Sequence, residues 1–408
     1  MAEYEAYKDS GAVWIGKIPA EWTVTRLKNH LRRTDARNPG GVPVLSLYRE
    51  LGIVPKDSRD DNHNVTSEDT SNYKYVQPGD FVVNKMKAWQ GSVAVSDYEG
   101  IVSPAYYVYK FLDNSFHKRY FHYLIRSCYK EEFMSLSAGI RIGQWDLSSQ
   151  DLDNVPVLIP AMTEQTAIAA YLDRETKRID AIIAEAKASI EEYKAWKASI
   201  IYDAVTKGLD PNAEMKESGI DIIGSMPAHW ETCRLKYLCD VMTGDQDTQN
   251  ADENGEYPFY VRSPIIQRAN VYTYDGEGIL MAGDGAGAGR VFHHAFGKYA
   301  IHQRVYCFHN FRNINTEYYL YFISELFKKV MDKGSAQSTV PSVRLPMIQD
   351  FVFCIPSEDE QQKIVAYLNE KCSNIDFIVT DKEALITDLE SYKKSLIFEV
   401  VTGKRKVV

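Results

Sequence analysis

Gly283-Asp284-Gly285-Ala286-Gly287-Ala288-Gly289 has the glycine density of a loop that cradles phosphate. Such a loop needs a strand before it and a helix after it, or a closing Gly-Lys-Ser/Thr. Here Arg290-Val291-Phe292 follows and reads as a strand, so a tight β-turn bringing backbone close to nucleic acid or to another strand is the better reading. Glycine allows the positive φ that such a turn requires. Glu175-Thr176-Lys177 echoes the Glu-x-Lys end of a nuclease site, but it lies inside a long helical pattern with no strand-borne Asp shortly before it. Cys128, Cys233, Cys239, Cys307, Cys354 and Cys372 form no C-x-x-C pair and have no His pair at zinc-finger spacing, so they read as reduced thiols. The Asn/Asp-Pro-Pro-aromatic signature of methyl transfer is absent. The expectation is no catalytic residue, no metal and no cofactor.

What remains is the chemistry of base reading, in which Arg or Lys pairs with guanine and Asn or Gln with adenine. In the first half the candidates are Asn84, Lys85, Lys87, Gln90, Arg141 and Gln144. In the second they are Arg262, Arg290, His302, Gln303, Arg304 and Gln337. They fall where strands meet turns, although any one of them alone is more often a solvated or phosphate-contacting side chain than a base reader. His293, His294 and His302 lack a companion acidic cluster, so core or DNA-facing roles are expected of them rather than a metal. Trp89 and Tyr106 are expected in the core. A net charge of −9 argues against DNA, because phosphate contacts want Lys and Arg. Counted by region, however, residues 70–145 and 256–346 each carry +3, while 161–210 carries −2 and 357–401 carries −5. The acidity lies mostly in the helical segments. DNA affinity from this chain alone should be modest, with basic partner subunits sharing the phosphate contacts.

These candidates sit on a tandem repeat. Residues 8–28, KDSGAVWIGKIPAEWTVTRLK, align without a gap at an offset of 208 with residues 216–236, KESGIDIIGSMPAHWETCRLK. Residues 159–182, IPAMTEQTAIAAYLDRETKRIDAI, align at an offset of 196 with residues 355–378, IPSEDEQQKIVAYLNEKCSNIDFI. The order is A–B–A′–B′, in which each A is a Gly- and aromatic-rich region and each B a helix. Leu172, Glu175, Ile179, Ile182, Ala186, Ser189, Tyr193, Trp196 and Ile200 step by three and four and predict a heptad seam. Leu368, Lys371, Ile375, Ile378, Lys382, Leu385, Leu389, Tyr392 and Leu396 repeat it. Forty-odd helical residues span about 65 Å. Such a helix has nowhere to bury its seam alone, whereas two copies in one chain can bury it against each other. Related by a twofold axis, they run antiparallel with the A regions at opposite ends, which suits a bipartite DNA site.

The composition, 45% hydrophobic and 25% charged, supports real cores. No apolar run reaches the roughly 18–20 residues needed to span a bilayer, and MAEYEAYKDSG has no basic segment followed by an apolar one. A cytoplasmic protein without membrane contact is expected.

The two opening blocks, KDSGAVWIGKIPAEW and KESGIDIIGSMPAHW, and the two IP…EQ…I…YL…ID helices resemble those of Type I restriction-modification specificity subunits. GDFVVNKMKAWQGSVAV (79–95), GIVSPAYYVYK (100–110), GILMAGDGAGAGRVF (278–292) and YAIHQRVYCF (299–308) look like central strands of target recognition domains. The second opening block is the weaker match, with Ile222 and Ile223 opposite Trp14 and Ile15. The resemblance covers essentially the whole chain. It implies an α/β fold with two target recognition domains in pseudo-twofold arrangement, separated by two long antiparallel coiled-coil helices. The expected boundaries are 1–158 and 209–354 for the recognition domains and 159–208 and 355–408 for the spacer helices. It further implies double-stranded DNA as ligand and two adenine methyltransferase (modification) subunits docked on the helices and EQ…I…YL blocks. Two restriction/translocase subunits would join in the full assembly. Competing readings are a DNA nuclease, which would need a carboxylate cluster, and a structural adaptor that binds no DNA.

Overall fold

The structure is a computed structural model describing residues 4–49, 51–58, 66–67, 69–139, 145–334 and 341–407. It forms two compact units, Met1–Ala186 with Ala384–Val408, and Lys187–Glu383. Each mixes helices with mostly antiparallel sheets; in the second, the strand Tyr257–Tyr260 pairs in parallel with Lys298–Ile301.

In the first unit, Phe81-Val82-Val83 is a short apolar run that ends at Asn84, the pattern of a strand covered on both faces. All four residues are buried. The unit's four-stranded antiparallel sheet comprises β1 (Leu31–Thr34), β2 (Phe81–Asn84), β3 (Val93–Val95) and β4 (Tyr106–Phe111), in the spatial order β1-β4-β2-β3. Helix α1 (Lys118–Ser127) buries Tyr120, Phe121, Leu124 and Ile125 on this sheet, and the Phe121 ring meets that of Phe81 edge-on at 5.1 Å.

The second unit repeats the plan. Its strands are β5 (Asp240–Thr243), β6 (Gly278–Ala282), β7 (Phe292–Ala295) and β8 (Val305–His309), in the order β5-β8-β6-β7. Helix α3 (Thr316–Gly334) buries Tyr319 and Phe322, which stack on Phe353 at 4.7 and 4.6 Å.

The two repeated helical blocks fold as α2 (Met162–Lys207) and α4 (Glu358–Val401). Neither contains Pro or Gly. In the first unit Leu172, Thr176, Ile179, Ile183 and Ala186 of α2 are buried, as are Leu396 and Val400 of α4, with Ile386 and Leu389 packed alongside. Lys393 donates to Asp180 at 2.6 Å. In the second unit Ile190, Ile201 and Ala204 are buried, as are Leu368, Cys372 and Ile375. Lys197 donates to Asp376 at 2.6 Å, and Lys382 lies over the Tyr193 ring at 5.8 Å. Partners ascend on one helix while they descend on the other, so the pairing in this unit is antiparallel.

The seam differs from its expected frame at every second position. Thr176, Ile183, Cys372 and Ile386 lie inward where Glu175, Ile182, Lys371 and Leu385 were expected, and Ile182, Leu385, Trp196 and Tyr392 are exposed. The apolar neighbours Ile182–Ile183, Ile200–Ile201 and Leu385–Ile386 make both frames equally periodic. Only packing against the partner helix selects one.

The other repeated residues tie helices to cores. Glu164 accepts from the Trp22 indole at 3.0 Å, as Glu360 does from Trp230 at 3.2 Å. Gln165, 1% exposed, accepts from the His117 amide at 2.8 Å, and Gln361 from that of Asn315 at 2.7 Å. The Tyr120 hydroxyl donates to the Leu158 and Val401 carbonyls, and the Tyr318 hydroxyl to those of Cys354 and Val205. Glu164, Gln165, Ile168 and Leu172 are thus engaged internally. This corrects the expectation that the EQ…I…YL block is itself a docking surface.

Candidate nucleic-acid interface

The first-unit candidates cluster on the turn between β2 and β3. A 3-10 turn over Ala88–Gln90 ends at Gly91, whose φ of +89° is the left-handed conformation that glycine adopts without penalty. Asn84 is 7% exposed and lies opposite Tyr106 in the strand pairing. The Lys85 ammonium donates to Asp146 at 2.6 Å, a bond that raises its pKa, and the Lys85 carbonyl accepts from the Leu147 amide at 3.0 Å. Lys87 is exposed beside exposed Met86. Gln90 accepts from Arg49. Trp89 is half-buried rather than in the core, its ring 5.4 Å from that of Trp145. Tyr106 is half-buried as well. Arg141 and Gln144 lie outside the described residues.

In the second unit the glycine-rich segment is the turn between β6 and β7, so strand follows strand and no helix opens behind it. A Cβ at Gly287 would come 2.6 Å from the Arg262 carbonyl oxygen, which is why only glycine fits. Asp284 accepts from Arg262 at 2.9 Å and stands 3.8 Å from Arg304. Gln303 donates to Asp247 at 2.8 Å. His302 is 3% exposed. Its Nδ1 accepts from the Arg304 amide at 3.0 Å, which places its proton on Nε2, 3.2 Å from the Thr248 hydroxyl. Burial and the nearby Arg262 lower its pKa, so the ring is neutral. Arg290 stands apart, paired with Asp332 of α3. Gln337 lies outside the described residues.

Both turns are built alike. Leu147 and Val343 are 196 positions apart, and each donates its amide to the carbonyl of the first turn residue, Lys85 or Gly283. Sequence reasoning missed Arg49, Asp146, Asp247 and Asp284, because an acid that orients a basic side chain across the fold leaves no local pattern. His293 donates its Nε2 proton to the Ser263 carbonyl at 3.1 Å, and His294 meets Glu277 at 2.9 Å. Among the described residues no His/Cys/Asp/Glu group is arranged to hold a metal, and no helix is long and apolar enough to cross a membrane. The six cysteines are unbridged; burial pushes Cys128, Cys239 and Cys354 up to about 12, leaving them as unreactive thiols.

The sequence model of the Type I restriction modification DNA specificity domain matches residues 28–192 and again 227–386. The Type I restriction enzyme EcoDI specificity subunit of Escherichia coli is 26% identical over 181 residues, 44% of this chain and 40% of that protein. The MjaVIII specificity subunit of Methanocaldococcus jannaschii is 22% identical over 96% of this chain and 94% of its own length. A chain from a structure of complex assembly and conformational transition in the type I R-M system superposes over 95% of this chain and 99% of its own, with TM-score 0.72 and 14% identity. The HsdS subunit of Thermoanaerobacter tengcongensis covers 95% and 98%, with TM-score 0.53 and 13% identity. These two structures share the fold.

Proposed function

This chain belongs to the Type I restriction modification DNA specificity family, and on that premise we propose that it is the DNA-reading subunit of a Type I restriction-modification complex. Each half reads one part of a bipartite double-stranded site. The observation that carries this reading is the double family match, over two units whose four-stranded sheets end in equivalent turns. Residues 1–158 and 209–354 are the two readers, and 159–208 and 355–408 are the spacer helices. A pseudo-twofold axis relates the halves. It is supported by the 196-residue offset that carries the Lys197–Asp376 pair onto Lys393–Asp180.

Base contacts fall to the exposed Lys87, Arg262, Gln303 and Arg304 and the half-buried Gln90, with Lys85, Arg290, Arg141, Gln144 and Gln337 as further candidates. Asn84 and His302, being buried, hold the turns in shape. The frame carries two adenine methyltransferase subunits, since a twofold scaffold offers each docking surface twice. Two restriction/translocase subunits complete the assembly. Methyl transfer and cleavage belong to those cytoplasmic partners, whose basic surfaces share the phosphate contacts.

Methylome sequencing of cells with and without this chain tests the proposal. Loss of one bipartite adenine-methylated motif is expected. An unchanged methylome overturns it.

A further inference from the structure

Resting on that reading, we infer that Asp284 is a positioning residue that presents Arg262 and Arg304 as a paired guanidinium reader, and that the half-site read by residues 209–354 contains a guanine facing them. The two arginines come from different parts of the unit, one just past the strand Tyr257–Tyr260, the other in the turn before β8. They converge on one carboxylate while their side chains stay 45% and 65% exposed.

Everything behind them is fixed. The Gly285 amide donates to the Pro341 carbonyl at 3.0 Å and the Val343 amide to that of Gly283 at 2.7 Å, which pins Asp284 between them. Gly287 passes against the Arg262 backbone with no room for a Cβ. The Arg304 amide is held by His302, whose ring stacks on Phe259 with centroids 6.4 Å apart.

A phosphate contact needs only a flexible cation, and an adjacent carboxylate weakens it. A preoriented guanidinium instead matches the paired O6 and N7 acceptors of guanine. An acid facing DNA is useful only if orientation outweighs repulsion, which is the situation in base reading. Among the described residues the first unit has no such pair of arginines on one carboxylate at the equivalent turn. Strand pairing places Asn84 opposite Tyr106 and Ala282 opposite Val305. By that register Met86 corresponds to Asp284, and Pro104-Ala105 to Gln303-Arg304. The two half-sites therefore differ here.

The test co-expresses the chain with its modification subunit in a host free of adenine methylation and sequences the methylome. R262A and R304A should each make one guanine of one half-site degenerate, lowering discrimination there about 5- to 150-fold, with the other half intact. D284N should relax the same position to a smaller degree. R262K and R304K keep the charge and the exposed position, so the fold is undisturbed, yet they should relax the same guanine. A motif retained in both lysine variants overturns the inference, as does relaxation at an A·T position or in both halves. So does uniform weakening with a shallower salt dependence, the mark of a lost phosphate contact. A parent chain that yields no bipartite motif would instead sink the specificity-subunit reading itself.

Discussion

Lys197 and Asp376 meet at 2.6 Å across the helix pair of the second unit, and 196 residues on, Lys393 meets Asp180 at the same distance in the first. Both lysines occupy seam positions, with their stems against the partner helix and their ammonium groups at its edge. The acids are more than half exposed, so each pair contributes only about 0–1 kcal/mol. Lys197→Asp turns attraction into repulsion and should lower the urea midpoint. Adding Asp376→Lys should restore most of the loss. A double variant as unstable as the single one would show that the ion pair is not what Lys197 supplies.

Glu360 gives the second unit an acid-sensitive anchor. Burial alone pushes its carboxyl up, but hydrogen bonds from His229, Ser357 and Trp230 outweigh this and hold it at about 2. An unfolded glutamate titrates near about 4.3. A carboxyl whose folded value is depressed stabilises fully above the unfolded value and loses that contribution as pH falls toward about 2. Urea midpoints of the parent and of Glu360→Gln, measured from pH 7 to pH 2.5, should differ most at neutral pH and converge below about pH 4.3. A gap independent of pH would mean that the charge contributes nothing.

The repeat made the architecture legible because Trp22, Trp230, Glu164, Glu360, Gln165 and Gln361 recur at fixed offsets, and the structure shows each pair making the same bond twice. Periodicity found the helices but not the seam frame, since Ile182 and Ile183 are interchangeable to a pattern and not to a partner surface. Side-chain type picked out Arg262 and Arg304, yet could not show that they share Asp284, which sequence reading absorbed into a glycine loop. Asn84 and His302 are the type of residue that reads bases but lie inside the fold; burial is a property of the packed unit, not of the residue.

Glycines that end the long helices set a second stability contrast. Gly208 and Gly403 have φ of +74° and +71°. Alanine in that conformation costs about 1–2 kcal/mol in either place. A Cβ at Gly208 would meet the Trp230 ring at 3.1 Å, whereas one at Gly403 would come within 2.3 Å of Pro19. Gly403→Ala should therefore lower the thermal midpoint more than Gly208→Ala. Equal losses would mean that the backbone conformation alone sets the cost.

The spacing between half-sites is the sharpest test of the helices as a ruler. The linker after α2 looks insertable in sequence, yet Val205 is bonded to Tyr318, Thr206 is fully buried and Gly208 lies on Trp230. The helix end is already seated in the second unit, so residues added at exposed 209–212 should enlarge a loop and leave the half-site gap unchanged. Lengthening α2 alone would slide its seam against α4. A matched insertion of one heptad in each helix, after Ala186 and after Glu383, keeps the buried positions in register. Seven helical residues add about 10.5 Å, and at about 3.4 Å per base pair that is about three base pairs. The methylome of a strain carrying the double insertion should show the same two half-sites with a gap wider by about three. Half-sites that change would mean that the insertion reached the readers. An unchanged gap would place the ruler in the methyltransferase subunits rather than in α2 and α4.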